Sequence, residues 1–262
     1  MYYYILSERS KVMTEENRTP QIDDSHETCS DLSIGKLIKN PDGKHYIIKS
    51  FPGDKQLLMR TLKDLNSPHL PKLYDISFDS KNTNVLMEYV EGKTLLKYLS
   101  EKSVTTDDVE DIFEQLLDAI EALHSSGIVH KDIKPANIVF TEGGKLKLID
   151  FGTCYIPKSD IKEYIGTVGY AAPEQFISGQ TDIRTDIYSL GVTLEKMLEI
   201  AGRHEFLSAI AKKCENCRVE ERYQTIGEIR KEIRIYNLSR LIVPGIALIL
   251  AAAILITLFI IL

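Results

Sequence analysis

Two short segments in the middle of this 262-residue chain carry side chains that could hold a metal ion. The first segment contains Asp132, Lys134 and Asn137, and the second contains Asp150. Carboxylate and amide oxygens are ligands that Mg²⁺ prefers in proteins. The residue types therefore predict that Asn137 and Asp150 can share a metal ion, provided that the chain between them folds back on itself.

The stretch between these two residues has the pattern of a β-hairpin. An apolar run at 138–140 is followed by a turn at 141–144 that contains two glycines, and apolar and polar residues then alternate through 146–148. Such a hairpin places Asn137 and Asp150 at neighbouring strand ends. The alternative is a surface loop with solvated charges.

A helix is expected to lead into the first segment. Thr105 and Asp108 have the spacing of a capping box, which satisfies backbone groups at a helix start. Apolar residues then recur at helical spacing from Val109 to Leu123, and Gly127 follows the predicted end. This apolar stripe is predicted to pack in the core rather than to bind a ligand.

Both segments resemble those of one enzyme family. Residues 130–137 read HKDIKPAN, which resembles the catalytic loop of protein kinases, and residues 149–152 read IDFG, which resembles their magnesium-binding segment. Lys134 and Thr167 resemble the serine/threonine branch more than the tyrosine branch. The sequence GYAAPEQ at 169–175 is similar to that of bacterial members.

The resemblance implies phosphoryl transfer from ATP to protein hydroxyl groups, with Mg²⁺ as the cofactor. Such catalysis consists mostly of positioning and charge neutralisation. By this match, Asp132 accepts the proton of the substrate hydroxyl or orients it, and Lys134 neutralises charge on the transferred phosphoryl group. Asn137 and Asp150 hold the metal ion, and Thr167 belongs to the same catalytic set.

Landmarks farther along the chain follow in the order expected for the family. Residues 172–174 read APE and resemble the end of an activation segment. Arg222 matches the arginine that pairs with Glu174 of this triplet. Asp186 matches the aspartate that holds the backbone of the catalytic loop in place.

The nucleotide site that the resemblance implies is formed mostly by upstream residues. Lys49 matches the lysine on the third strand of the small lobe, and Met87 matches the gatekeeper before the hinge. The other residues expected to contact the nucleotide are Gly35 in the glycine-rich loop, Glu88 and Val90 through their backbone groups, and Leu37, Ile47 and Val139 around the adenine ring.

The expected fold class is therefore α+β, a two-lobed protein-kinase-like fold with a small β-rich lobe and a larger helical lobe. A lead-in at 1–26 precedes the small lobe at 27–86. The hinge and the large lobe occupy 87–236, and the large lobe is shortened after Leu198. One transmembrane helix is expected at 241–262.

Two departures from the family pattern lie in the small lobe. Only Gly35 remains of the three glycines that usually cover the phosphates, where the missing Cβ lets backbone amides approach. No glutamate occurs within 51–77, so the helix expected around Leu58 offers Lys49 no obvious partner. Either another carboxylate substitutes, or Asp150 and the phosphates hold this lysine.

Composition limits the remaining functions. The chain has 32 basic and 38 acidic residues and a net charge of −6, which argues against a nucleic-acid-binding protein. Its length suits one two-lobed domain rather than two independent enzymes.

Cys214 and Cys217 form a CxxC pair, but a zinc site would need a second pair. We therefore predict two buried thiols on one helix.

The last 22 residues, 241–262, contain no charge. As a helix they would extend about 33 Å, enough to cross the hydrocarbon core of a lipid bilayer. Basic residues precede this segment and favour the cytoplasmic side, which predicts a single-pass membrane protein with a cytoplasmic kinase domain. Ala247 and Ala251 have the spacing found where helices pair in lipid, so a homodimer through the tail is an alternative to a monomer.

Two functions remain open from the sequence. The first is a membrane-tethered serine/threonine protein kinase that transfers the γ-phosphate of ATP to protein hydroxyls, including its own. The second is a pseudokinase scaffold that binds a partner or a nucleotide without transfer. The retained catalytic residues favour the first, and the altered small lobe is the argument for the second.

Overall fold

The computed structural model describes residues 35–39, 44–157 and 165–261. In the last helix, most side chains beyond Arg240 are also outside the described part. The predicted lead-in at 1–26 therefore lies outside the described residues, as does the segment that precedes Gly35 in the glycine-rich loop.

The small lobe is an antiparallel sheet with one helix packed against it, as an α+β fold requires. Its four strands follow the order β1-β2-β4-β3 across the sheet. They are β1 (Lys36–Lys39), β2 (His45–Pro52), β3 (Leu73–Phe78) and β4 (Asn82–Glu88). Side chains alternate between the two faces of a strand, so Ile47 and Lys49 on β2 point to the same face.

Helix α1 (Gln56–Asp64) follows β2 and packs against this sheet mainly through its apolar face. Leu58, Met59 and Leu62 are buried there, and the helix has no acidic residue in its first turn. The structure thus confirms a helix around Leu58, and this helix contains no glutamate. Its attachment to the sheet rests on hydrophobic burial, which is roughly proportional to the apolar area removed from water.

The large lobe begins with α2 (Leu95–Glu101) and the long helix α3 (Thr106–Ser125). The predicted capping box is confirmed, because the Asp108 amide donates to Thr105 Oγ1 at 3.2 Å and the Thr105 amide donates to Asp108 Oδ2 at 2.8 Å. The apolar stripe of α3 is buried as predicted. Gly127 then reverses the chain with φ +70°, a conformation that favours glycine.

The predicted hairpin is also confirmed and is part of a second, three-stranded sheet of order β5-β6-β7. These strands are β5 (Lys93–Thr94), β6 (Ile138–Phe140) and β7 (Leu146–Leu148). The remaining helices of the lobe are α4 (Pro173–Ile177), α5 (Ile183–Ala201), α6 (Glu205–Cys214) and α7 (Ile226–Ile261). Only residues 202–204 separate α5 from α6.

One prediction about the cysteines is wrong. Cys214 is buried at the end of α6, but Cys217 lies beyond that helix and is exposed. The helix ends at Cys214 because the next residue, Glu215, leaves the helical conformation as its C-cap.

Helix α7 continues from the large lobe into the apolar segment 241–262. Its first half is tied to α3 by Arg230, whose guanidinium contacts Glu114, Asp118 and Glu121 at 2.5–3.0 Å. Among the residues that the structure describes, we find no helix with the length and apolar character needed to cross a bilayer. The structure therefore gives the predicted transmembrane helix no support.

Candidate active site

The loop that carries Asp132 is held in place by a buried carboxylate on α5. Asp186 is fully buried and accepts the backbone amides of His130 and Lys131, both at 2.8 Å. The same carboxylate contacts His124 Nε2 on α3 at 2.9 Å. These contacts agree with the expected role of Asp186, and they hold the loop that carries Asp132 against two helices.

The hairpin brings Asn137 and Asp150 together as predicted. Ile138 pairs with Leu148 across the two strands, and the amide of Ile149 donates to the Asn137 carbonyl at 2.8 Å. Asp150 has φ +73°, which is uncommon for a residue with a Cβ. Such strain persists where surrounding contacts over-determine the backbone, as they often do at functional sites.

Asp132 lies at the centre of a cluster of hydrogen bonds. Lys134 Nζ donates to Asp132 Oδ2 and to Thr167 Oγ1, both at 2.8 Å. The Thr167 hydroxyl in turn donates to Asp132 Oδ1 at 2.5 Å. Asn137 Nδ2 donates to the Asp132 carbonyl and to its Oδ2, both at 2.9 Å. The structure thus brings together all four residues predicted as catalytic from the sequence.

This cluster determines the ionisation of Asp132. Partial burial by itself raises the pKa of its carboxyl group, but hydrogen bonds from Lys134 and Thr167 and the charge of Lys134 outweigh that effect. The pKa of Asp132 is therefore lowered, and the carboxylate is ionised at neutral pH. An ionised carboxylate can accept hydrogen bonds only, so it can orient a hydroxyl group whose proton points towards it.

The residues at the strand ends fit a magnesium ion. Both hydrogens of the Asn137 side-chain amide group lie on Nδ2, which donates to Asp132, so its oxygen is the atom left for a cation. Asp150 adds a carboxylate that is 42% exposed. Mg²⁺ is usually held by one or two protein oxygens together with water and substrate phosphates. A pair of oxygen ligands is therefore enough for Mg²⁺. In the described part of the chain, no group of three or more Asp, Glu, His or Cys residues could hold a metal ion.

Lys49 reaches this site from the small lobe. Its Nζ lies 3.5 Å from Asp150 Oδ1, and the lysine side chain is 14% exposed. Of the two possibilities left open by the sequence, the structure thus shows the pairing with Asp150. Gly35 lies beside the same strand: a Cβ at this position would be 2.4 Å from the Ile48 carbonyl oxygen. This close approach, together with φ +95°, requires glycine.

The residues predicted around adenine are only partly brought together. Leu37 pairs with Ile47, and Ile47 pairs with Met87, so these three lie side by side on the sheet. Val139 is on β6 of the large lobe, and no described contact joins it to them. Val90 lies just beyond β4, half-buried, in the segment predicted as the hinge.

Two hinge features were not predicted from the sequence. The Glu88 amide donates to the Lys72 carbonyl at 2.8 Å, so its N–H belongs to the sheet and is not available to a nucleotide. A Cβ on Gly92 would lie 2.0 Å from the Phe140 carbonyl oxygen, so this glycine permits close contact between hinge and hairpin. A glycine four residues after the apolar strand β4 is the signal that could have revealed it.

The segment that carries Thr167 is braced by a buried ion pair and a buried amide. Arg222 binds Glu174 in a two-pronged arrangement at 2.7 and 2.8 Å, as predicted. Gln175 is fully buried, and its Nε2 donates to the Lys131 and Ile165 carbonyls. Sequence reasoning missed Gln175, because a glutamine beside a recognised triplet carries no periodic signal.

Comparison with known proteins agrees with this geometry. A profile of the protein kinase domain matches residues 33–242. A probable serine/threonine-protein kinase of Clostridium perfringens is 35% identical over 159 residues, which is 56% of this chain and 23% of that protein. The serine/threonine-protein kinase PknL of Mycobacterium tuberculosis is 33% identical over 56% of this chain and 40% of that protein. For PrkC of Bacillus subtilis the identity is 33%, over 53% of this chain and 22% of that protein.

The aligned region spans less than half the length of each of these relatives. The match to the kinase domain, by contrast, covers most of this chain and includes both lobes. The chain therefore belongs to the protein kinase family.

Proposed function

We propose that this protein is a serine/threonine protein kinase that transfers the γ-phosphate of ATP to hydroxyl groups of proteins. The observation that carries the proposal is the closed cluster in which Lys134 and Thr167 both contact the Asp132 carboxylate. The names of the similar proteins, which are serine/threonine kinases, support the same chemistry.

In this proposal the ionised Asp132 orients the substrate hydroxyl and accepts its proton as the phosphoryl group is transferred. A carboxylate offers about four acceptor positions, so room remains beside the bonds from Lys134, Thr167 and Asn137. Lys134 lies within hydrogen-bond distance of the same carboxylate and is placed to neutralise charge on the transferred group.

Asn137 and Asp150 are proposed to hold Mg²⁺, which would supply charge neutralisation on the phosphates when bound. Lys49 contacts Asp150 from the opposite lobe and is proposed to bind the phosphates. Gly35 is proposed to lie over them. The adenine ring would lie near Met87, the carbonyl of Glu88 and the backbone of Val90, with Leu37, Ile47 and Val139 on its faces.

The test is phosphotransfer by purified protein incubated with γ-labelled ATP and Mg²⁺. Asp132→Asn is expected to lower label transfer by about 10²- to 10⁴-fold, the usual contribution of a positioned acid or base. Asp111→Asn is the matched control, because Asp111 is exposed on α3. Equal labelling by wild type and Asp132→Asn would exclude the proposed role.

One observation favours the second function, a pseudokinase scaffold. Helix α1 presents buried Leu58 where kinases carry a glutamate, so Lys49 has no helical partner among the described contacts. A nucleotide-dependent rise in melting temperature without label transfer, under conditions where a known kinase is active, would support the scaffold. Label transfer that depends on Asp132 would reject it.

We also propose, from the sequence alone, that Leu241–Leu262 tethers the kinase domain to the cytoplasmic face of a membrane. The support is the uncharged 22-residue stretch after basic Arg240. The full chain is expected to remain in the membrane pellet after an alkaline carbonate wash, whereas a chain ending at Ser239 is released. Release of both proteins would refute the tether.

Pairing through the tail, which would favour phosphorylation of one copy by another, is tested on the same two proteins. Crosslinking of the full chain in membranes is expected to give dimers, and the chain ending at Ser239 should give fewer. Equal monomer content in the two samples would argue against a tail-mediated dimer.

A further inference from the structure

Helix α1 is linked to the segment that carries Asp150 by a residue that the family pattern does not predict. Helix α1 buries Leu58, Met59 and Leu62 and carries no glutamate, so the partner that the family pattern implies for Lys49 is absent from this helix. The described ion pair of Lys49 is with Asp150 itself. Another contact from the start of α1 crosses the cleft instead.

That contact comes from Lys55, the residue directly before α1. Lys55 Nζ donates to the backbone carbonyl of Gly152, a residue 97 positions away in the sequence. Its own amide donates to Thr83 Oγ1 at 2.7 Å, and the Thr83 hydroxyl donates to the Gly53 carbonyl at 2.9 Å. Thr83 is fully buried on β4. The base of the Lys55 side chain is therefore fixed to the sheet while its ammonium contacts the large lobe.

Gly152 is also bound to the metal-binding carboxylate. Its amide donates to Asp150 Oδ1 at 3.3 Å, and its carbonyl accepts from Lys55. Asp150 adopts φ +73°, a conformation that costs energy and persists only where the surroundings hold it. A hydrogen bond from an ammonium group is stronger than one between neutral groups. The contact from Lys55 thus acts two residues from a strained backbone position that must be maintained.

We propose that Lys55 is a positioning residue for Asp150. By holding the Gly152 carbonyl, its ammonium keeps the Asp150 carboxylate in contact with Lys49, and it links the position of α1 to the geometry of the proposed magnesium site. This inference rests on the proposed phosphotransfer function for its catalytic consequence, but its structural part can be measured without any reaction.

The experiment compares Lys55→Met with Lys55→Arg and with Lys63→Met. Lys63 is a suitable control because it lies on α1, the helix that Lys55 precedes, and donates to a backbone carbonyl, that of Tyr74 at 2.7 Å, without reaching the large lobe. Amide hydrogen exchange of the peptide covering 149–155 is measured without nucleotide. We expect about tenfold faster exchange in Lys55→Met, partial recovery in Lys55→Arg, and wild-type exchange in Lys63→Met.

Kinetics provide the second measurement. Lys55→Met should lower kcat about tenfold and raise the Mg²⁺ concentration needed for half-maximal rate, with a smaller change in KM for ATP. Unchanged exchange with a raised KM alone would overturn the proposal in favour of direct phosphate binding by Lys55. Equal exchange changes in Lys55→Met and Lys63→Met would also overturn it, because general loosening of α1 would explain both.

Failure of the proposed function gives a different result. A wild-type protein without label transfer would remove the kinetic consequence, but the exchange difference between the Lys55 and Lys63 variants would still decide whether Lys55 holds this segment. Melting curves of all variants, with and without Mg²⁺ and ATP, separate a local effect from loss of folding.

Discussion

The two lobes supply their functional side chains in different ways. In the large lobe, Asp132 accepts from three side chains, and Lys134 and Thr167 each contact two others in the same cluster. In the small lobe, the described ion pair of Lys49 is a single contact of 3.5 Å to Asp150, which belongs to the other lobe. The candidate catalytic groups are thus concentrated in the large lobe, and Lys49 reaches them across the cleft.

The difference follows largely from sequence separation, although Thr167 joins the cluster from 35 positions away. Lys134 and Asn137 lie within five positions of Asp132, so the conformation of one loop determines their relative positions. Lys49 can meet Asp150 only if the two lobes are correctly placed. Local contacts carry a small entropy cost of closure, and distant ones require the rest of the fold. Losses in the small lobe should therefore affect binding and lobe placement before they affect the chemical groups themselves.

The largest expected effect is on the stability of the large lobe. Glu174→Ala leaves Arg222 buried without its ion-pair partner and should lower the free energy of unfolding by about 3–5 kcal/mol. The Arg222 side chain is fully buried in this pair. Urea denaturation measures the change.

The control for this prediction is Glu221→Ala, because the pair between Glu221 and Arg218 is exposed. Its removal should cost at most about 1 kcal/mol. Equal destabilisation by the two variants would show that the buried pair does not brace the large lobe.

The next effect tests what the small lobe contributes. Under the proposed function, Lys49→Met should lower kcat/KM by about 10²- to 10³-fold, since one preorganised charge at the phosphates would be lost. The melting temperature should change little, because the paired Asp150 is partly exposed. Lys36→Met on the neighbouring strand is the control, with an exposed side chain. If Lys49→Met lowers the melting temperature strongly but leaves the rate per folded molecule unchanged, Lys49 contributes to stability and not to catalysis. That result would contradict the comparison between the lobes.

A smaller effect is expected for the hydroxyl that closes the catalytic cluster. Thr167→Val removes a hydrogen bond to an ionised group, worth about 1.5–3 kcal/mol, and should lower kcat roughly 10- to 100-fold. Thr167→Ser keeps the hydroxyl and should restore most of the activity. If serine and valine give the same rate in steady-state assays, the contact with Asp132 is not part of the mechanism.

The smallest effect distinguishes two glycines, one in each lobe. Gly35→Ala places a Cβ against the Ile48 carbonyl and should raise KM for ATP a few-fold as β1 shifts. Gly127→Ala meets no atom within 4 Å and should cost only the left-handed backbone strain, about 1–2 kcal/mol, with KM unchanged. Both are measured by kinetics and thermal melting. Identical effects on KM would remove the distinction between the lobes.

The sequence by itself determined the parts of the site whose contacts are local. The capping box of Thr105 and Asp108, the loop from Asp132 to Asn137 and the hairpin up to Asp150 follow from turn residues, periodicity and short spacings. These signals depend on the conformation of a few neighbouring residues, so they can be read without the rest of the fold.

Beyond the distant pairs that the family resemblance implied, such as Arg222 with Glu174, only the tertiary structure decided which distant residues meet. The structure pairs Lys49 with Asp150, a choice that the sequence left open. It also shows Lys55 donating to the Gly152 carbonyl and Gln175 donating to the Lys131 carbonyl of the catalytic loop. It also left Cys217 exposed, against the prediction. Such contacts depend on how helices pack on sheets and how the two lobes meet, and no periodic pattern in the chain records these relations.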